Sequence, residues 1–220
     1  MSGALGQDPV QLFIFLAALG MLPFLVVLVT PFAKILIVLM LTRNALGLQG
    51  VPPALVLNGI ALILTAYAMV PVLQTAYEPV RARATQWTSV NLEMVQEAAQ
   101  AGREPLLRFL GQHAHPRERA FFLGAAKRLW PSALAAELHE DDPSVLVPAF
   151  LLSQIGDGFA IGMVIYLVLI VVDFIVAAVL LAMNMSMVNP TIVSVPFKLL
   201  LFSALDGWSA LAHNLLLSYR

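Results

Sequence analysis

Five charged residues lie among apolar residues and are the first candidates for chemistry in this sequence. Lys34, Asp173, Lys198 and Asp206 interrupt apolar stretches, and Asp157 follows a glycine. A charge at the centre of a membrane helix costs about 2.5–3.5 kcal/mol, so such residues usually face protein or water and find partners. The functional interpretation is a polar pathway or an ion relay. The structural interpretation, which we favour, is pairing between helices or subunits, two cations against three anions.

Two of these carboxylates raise the question of proteolysis. Gly156 and Asp157 resemble the Gly-Asp element of intramembrane aspartyl proteases, with Asp173 as the second carboxylate. Such a dyad needs carboxylates a few ångströms apart, so that one of them stays protonated. Sixteen residues along one helix would separate the two by about 24 Å. Only a sharp hairpin could bring them together, so the spacing argues against a protease.

The residues that could bind metal are few. His113 and His115, with Glu118, could supply part of a metal site, but an H-x-H pair in a loop lacks the helix-face spacing or the further ligands of a specific site. The chain has no cysteine, which excludes disulfides and thiolate sites. It also lacks a Gly-x4-Gly-Lys phosphate loop. We therefore predict no metal, no cofactor and no enzymatic activity.

Methionines mark the break between two long apolar segments. Three of them alternate with turn-forming residues in the run Met183, Asn184, Met185, Ser186, Met187. Thioether side chains are flexible and make a soft, deformable surface. The turn-forming residues favour a loop over a helix interior. A gate is the functional interpretation, although methionine is also common in apolar helices and the cluster could arise by chance.

The elements that hold these residues must be largely apolar. The chain is 60% hydrophobic and 11% charged, and its mean hydropathy is +0.87. Soluble domains are about 45–50% hydrophobic and about 25% charged. Seventeen of its 25 charged residues lie between Glu78 and Asp142. This pattern predicts an integral membrane protein with two apolar blocks, residues 1–73 and 144–220, around a water-facing insert, residues 74–143. The net charge of −1 argues against nucleic-acid binding.

Four apolar stretches stand out, at residues 10–41, 52–73, 145–183 and 188–217. The third would be about 60 Å long as one helix, twice the approximately 30 Å hydrocarbon core. It must bend, form a hairpin or extend beyond the bilayer. Gly156, Gly158 and Gly162, and in the first stretch Thr30 and Pro31, are the expected bending points. We predict an all-α fold of long helical hairpins.

The sequence of the insert also predicts helices. Pro116 opens a segment with Glu118 in its first turn and Lys127 in its last turn, closed by Pro131, which is typical of a helix with defined ends. A second helix is predicted over residues 91–111, and no alternation indicates a strand.

Orientation and processing signals are few. Arg43 is the fixed charge of the first short loop, and the positive-inside rule places it in the cytoplasm. Alternation then places the insert on the periplasmic side. The N-terminal residues lack the positive flank of a signal peptide, so the first apolar stretch is expected to remain as an anchor.

Five motifs in the two apolar blocks resemble one known family. They are RNALGLQ at 43–49, VPP at 51–53, LNGIAL at 57–62, PAFLLS at 148–153, and VPFKLLLF at 195–202 with DGW at 206–208. Their most informative residues are Arg43, Asn44, Gly47, Pro52, Pro53, Pro148, Phe150, Pro196, Phe197, Gly207 and Trp208. They resemble the FliP/SctR family, the R subunits of the type III secretion export apparatus, either YscR/HrcR-like in injectisomes or flagellar.

This resemblance implies a membrane-embedded, non-enzymatic subunit of an export gate for unfolded secreted proteins. It implies a homo-pentamer that assembles further with small S and T subunits in the bacterial inner membrane and protrudes towards the periplasm. The family's methionine gasket falls on Met185, Ser186 and Met187, with Met183 just before it. Ser186 departs from the usual run of methionines, so the seal is either thinner or completed by another subunit.

The resemblance also bears on the intramembrane polar residues. Asp173, Lys198 and Asp206 match family positions and are expected to make intersubunit or interhelical contacts, a role that we extend to Lys34 and Asn58. The lack of a signal peptide fits injectisome members better than flagellar ones.

The residues around Asp157 depart from the family pattern. Gln154, Gly156 and Asp157 stand where the family has an acidic, a basic and a small polar residue, so Asp157 inherits no family role.

The alternative to an export-gate subunit is a protein of another functional class, an ion-coupled transporter that uses Lys34, Asp173 and Asp206 as an ion relay. A transporter would move its substrate as a single polypeptide, whereas an export-gate subunit would be inert without partners.

Overall fold

A computed structural model of the chain describes residues 13, 17, 20, 21, 24, 27–83 and 92–220. The helices with defined bounds in these residues are α1 (Phe32–Ala45), α2 (Ala54–Arg83), α3 (Leu92–His113), α4 (Pro116–Leu129), α5 (Ser132–Ala135), α6 (Pro143–Ala182), α7 (Pro190–Ala204) and α8 (Gly207–Leu217). No strand occurs in this part of the chain. The prediction of an all-α fold is confirmed.

Several of these helices are apolar enough to cross a bilayer. Within the described residues, two segments qualify by length and hydropathy. The most apolar window of residues 54–78 in α2 has a mean hydropathy of 2.0, and that of α6 has a mean hydropathy of 3.1. Helices α7 and α8, with a bend of 58° between them, qualify only as a pair, which forms either one broken span or a re-entrant loop. Few side chains in the most apolar windows of α2 and α6 are covered by the part of the chain that the structure describes. Lipid, or protein beyond the described residues, must therefore cover the rest, because exposed apolar area of this size is unstable in water.

Helix α6 runs without a break through Gly156, Gly158 and Gly162, so the third apolar stretch does not form a hairpin at these glycines. Its 40 residues extend over about 60 Å. The sequence left a hairpin as one possibility, and the continuous helix excludes it. At this length α6 extends beyond the thickness of a bilayer. In the first stretch, Thr30 and Pro31 do form a bend and a turn, directly before α1.

Two of these glycines instead bring α1 and α6 together, in the most extensive helix contact of the described chain. A Cβ atom at Gly158 would lie 3.2 Å from the Lys34 carbonyl oxygen, and one at Gly162 would lie 2.9 Å from the Leu41 Cβ. Small residues allow two membrane helices to approach closely. The glycines therefore set the register in which α1 meets α6.

Replacing Gly162 with alanine is expected to destabilise this contact by about 1–3 kcal/mol, because the added methyl overpacks against Leu41. Gly156→Ala is the matched control, since nothing lies within 4 Å of its Cβ position. That control should be stabilising by about 0.5–1 kcal/mol, the helix-propensity difference. The melting temperatures of the two detergent-purified variants, measured by thermal unfolding, are to be compared. Equal melting temperatures would contradict the close contact at residue 162.

Buried apolar clusters hold the bundle and the insert together. One cluster joins α1, α2 and α8 through Ile35, Val38, Leu39, Leu57, Ala61, Leu211 and Leu215. A second joins α2, α3 and α6 through Met69, Phe109, Leu110, Leu146, Ala149 and Phe150. The second cluster packs α3 of the insert against the start of α6.

Both helices predicted in the insert are present, as α3 and α4. Helix α2 continues from the first apolar block past residue 74 to Arg83. The insert therefore begins inside a helix that is apolar in its first part, and the change from apolar to polar surface occurs along α2 itself.

Candidate functional site: the methionine loop and its charged pair

The end of the α6–α7 hairpin has little cover from the other residues that the structure describes. Beyond Leu169, Leu180 alone is buried among the α6 side chains. Leu169 itself packs with Ala45 and Leu46 at the end of α1. The last turns of α6 are therefore packed mainly against α7, and the loop between them lies at the tip of this hairpin.

The chain is tightly turned at both ends of this loop. At the end of α6, Asn184 adopts the left-handed conformation (φ +56°), which asparagine tolerates better than most residues. The Met185 N–H then bonds the Leu180 carbonyl at 2.9 Å. At the start of α7, the Asn189 side chain accepts a hydrogen bond from the Thr191 N–H at 3.0 Å. These caps give the loop a defined shape.

The loop presents its methionines outward. Met183 is 62% exposed, Met185 41% and Met187 100%, and Ser186 is also exposed. Behind the loop, a cleft of about 550 Å³ between α6 and α7 has entirely apolar walls, to which Met183 and Met185 contribute. The thioethers therefore have room to change rotamer, which is the property that a deformable surface requires.

A charged pair joins the two helices of the hairpin below the loop. The Lys198 Nζ donates to Asp173 Oδ2 at 2.6 Å and to the Ala45 carbonyl at 3.0 Å, and the Ser194 Oγ donates to Asp173 Oδ1 at 2.5 Å. Lys198 is buried, whereas the Asp173 side chain is about a third exposed. The cation also lies at the C-terminal end of α1, where a positive charge is favourable.

Residues of the loop between α1 and α2 pack against α7, the helix that carries Lys198. Gly47 has φ +77°, and a Cβ there would lie 2.7 Å from the Val195 Cγ2 on α7, so glycine is required for two reasons. The Gly47 N–H bonds the Asn44 carbonyl at 3.0 Å, and an Arg43 guanidinium N–H donates to the Pro52 carbonyl at 3.3 Å. The first motif thus forms a turn that packs on α7.

Three further motif residues, Phe150, Gly207 and Trp208, lie in packed surroundings. Phe150 is fully buried beside Phe109. At the α7–α8 turn, Asp206 has φ +47°, and a side chain at Gly207 would overlap the ring of Phe202, against which Trp208 packs edge to face at 5.3 Å.

Two residues proposed for polar contacts lie at the surface. Asn58 and Asp206 are exposed, and the Asp206 side chain makes no capping hydrogen bond to α8. Their proposed contacts would therefore have to come from another chain.

The structure brings together a second polar cluster that the sequence did not reveal. The Lys34 Nζ lies 3.6 Å from Asp157 Oδ2 and donates to the Ser218 Oγ at 3.1 Å. On its other side, Asp157 Oδ1 lies 3.1 Å from the His115 Nε2. From the sequence, Lys34 and Asp157 are predicted to need partners, but His115 is interpreted as a residue of a solvated loop.

The carboxylates do not form the catalytic or relay arrangements considered above. Asp157 and Asp173 lie on one uninterrupted helix and contact different cations. Asp206, the third member of the relay, lies at the α7–α8 turn. Within the described residues, no three His, Asp or Glu side chains come close enough to hold a metal ion.

The fold and the site define the class of the protein, an all-α membrane protein whose apolar hairpin ends in an exposed methionine loop. Residues 15–215 match the FliP family, and the chain belongs to that family.

Relatives of similar length agree with this assignment. The chain is 44% identical to the Hypersensitivity response secretion protein HrcR of Ralstonia nicotianae, over 96% of this chain and 97% of that one. It is 42% identical to the Yop proteins translocation protein R of Yersinia pestis, again over 96% and 97%. It is 37% identical to the Virulence protein YscR of Salmonella typhimurium, over 98% and 99%.

Proposed function

We propose that this chain is a core subunit of the type III protein secretion export gate and forms part of the channel through which unfolded substrates pass. Relatives that match almost end to end carry names of secretion and translocation proteins. Full-length similarity of this kind supports the same role for the whole chain.

The observation that carries the proposal is the methionine loop at the tip of a hairpin. A ring of such loops can close on itself and exclude ions, because apolar constrictions gate by dewetting. The same ring can open around a chain of any sequence, since thioethers adapt their rotamers and make no fixed hydrogen bonds. Met183, Met185 and Met187 supply this surface. Ser186 interrupts this run, so the seal there is either thinner or completed by another subunit.

The gate requires several chains. We propose a homo-pentamer, joined by the small S and T subunits, in the bacterial inner membrane and protruding towards the periplasm. The large apolar surface of α2 and α6 that the described residues leave uncovered supports such partners. The length of α6, about twice the bilayer core, supports a complex that extends out of the membrane plane.

The subunit performs no chemistry in this proposal, and the energy for export comes from other components. The transporter alternative loses support because Lys34, Asp173 and Asp206 have separate surroundings and form no continuous path.

An in-frame deletion in the native host tests the proposal, with mass spectrometry of the culture supernatant, a motility assay and complementation. Loss of a defined set of secreted proteins with intact motility is the expected result and places the chain in an injectisome. Loss of motility would assign it to the flagellar branch. If secretion and motility both survive in a host with no second copy, the export function is wrong.

A further inference from the structure

The polar cluster around Asp157 connects the insert to the membrane bundle. It joins α1 through Lys34, α6 through Asp157, and the link between α3 and α4 through His115. The residues after α8 also take part, because Ser218 accepts a hydrogen bond from Lys34 and the Tyr219 hydroxyl donates to Gln154 Oε1. One carboxylate is therefore shared by groups from distant parts of the chain.

Neutral hydrogen bonds already hold the α3–α4 link against α6. The His115 N–H donates to the Ser153 Oγ at 2.9 Å, and the Ser153 hydroxyl donates to the Ala149 carbonyl at 2.7 Å. The Gln154 amide donates to the His113 carbonyl at 3.4 Å. Ser153 and Gln154 are buried, so these contacts are shielded from water. The contact between His115 and Asp157 closes the outer side of this junction.

We propose that His115 is a positioning residue, and that protonation of its imidazole tightens the attachment of the insert to α6. The His115 side chain is about half exposed, so protons reach it from water. Histidine is the side chain that ordinarily changes charge between about pH 5 and 8. When protonated, it places a positive charge 3.1 Å from the Asp157 carboxylate, and when neutral it leaves a weaker contact.

The sign of the effect depends on the charged and titratable groups around this junction. Those in contact with the cluster or its neighbours are Asp157 on α6, Lys34 on α1, Arg119 one turn along α4, Asp141 bonded to Arg119, the neighbouring His113, and Tyr219. Two charges of opposite sign, Arg117 and Glu118, follow His115 in the first turn of α4, and Arg220 follows Tyr219. Lys34 contacts the far oxygen of Asp157, so its repulsion of a protonated His115 acts over a greater distance than the attraction of Asp157. Arg119 is compensated by Asp141, 3.5 Å away.

Tyr219 carries no charge that would alter the attraction between His115 and Asp157. Burial, with a smaller effect of the Asp157 carboxylate, raises the pKa of the Tyr219 hydroxyl far above its ordinary value. It remains a neutral donor to Gln154 at any physiological pH. The net effect of acid is therefore attraction between His115 and Asp157, and the insert should be held more firmly as the pH falls.

Hydrogen-exchange mass spectrometry on the purified full-length complex tests this inference. Exchange in α4 peptides, corrected for intrinsic rates, is compared at about pH 5.5 and about pH 7.5, two values within the range over which histidine ordinarily changes charge. We expect α4 of the wild type to exchange several-fold more slowly at the lower pH. His115→Gln and Asp157→Asn should abolish this difference, and His115→Lys should keep exchange slow at both pH values.

His139→Gln is the matched control, because His139 is an exposed residue of the same insert. It should retain the wild-type response. A wild-type protein with no pH response in α4 would overturn the inference, even if every variant at residue 115 failed to fold. An unchanged response in His115→Gln would overturn it equally. The methionine loop takes no part in this measurement, so failure here and failure of the export function are distinguishable.

Discussion

Replacing Met185 and Met187 together with glycine is expected to leave assembly intact and to make the closed complex leak ions. Both side chains are exposed at the hairpin tip and belong to none of the buried apolar clusters of the described residues, so we expect folding to depend little on them. Their removal opens the apolar constriction to water, and a wetted pore conducts. Membrane conductance, or the rate of collapse of a proton gradient in cells that express the complex, should rise several-fold.

Leucine at the same two positions is the matched control for this double variant. It keeps the apolar volume and should preserve most of the seal, although it adapts less readily to a passing chain. Ser186→Met should reduce any residual leak, because it fills the gap in the methionine run. Unchanged conductance in a Met185→Gly, Met187→Gly complex that is verified to be assembled would rule out the gasket role.

Lys198→Ala is expected to weaken assembly more than it affects gating. The substitution removes the cation that joins α6, α7 and the end of α1, and leaves the Asp173 carboxylate in apolar surroundings with Ser194 as its remaining partner. Breaking a buried ion pair costs about 3–5 kcal/mol. Because Asp173 is about a third exposed, we expect roughly 2–3 kcal/mol. Thermal unfolding and size-exclusion chromatography of detergent-extracted complexes measure the effect.

Two further variants separate the ion pair from a general loss of charge. Lys127→Ala removes an exposed lysine of α4 and should have little effect. The double variant Asp173→Asn with Lys198→Met removes both charges and should recover much of the stability that Lys198→Ala loses. A detergent-extracted Lys198→Ala oligomer of normal yield and melting temperature would show that this residue does not support assembly.

Much of the fold followed from local sequence patterns. Apolar runs longer than a bilayer span predicted long helices, and the proline and charge pattern from Pro116 to Pro131 predicted the bounds of α4 within about two residues. The turn formers around Met185 predicted a loop where the structure has one. These features depend on residues close together in the chain, where propensity and capping act directly.

The glycines of α6 show where such patterns mislead. Gly156, Gly158 and Gly162 looked like bending points, because a glycine in isolation favours a break. In the folded chain, two of them lie against α1 and permit close packing, within a helix that continues through all three. The effect of a glycine thus depends on what lies opposite it, which only the packed structure specifies.

The sequence by itself determined the helical class, the division into apolar blocks and a charged insert, and the identity of the charged residues that need partners. Only the tertiary structure decided the pairs: Asp173 with Lys198, 25 residues apart, and Asp157 with both Lys34 and His115. The physical reason is range. Helix formation and burial of apolar area depend on local composition, whereas a salt bridge extends only about 4 Å and forms only after packing has fixed which helix faces meet.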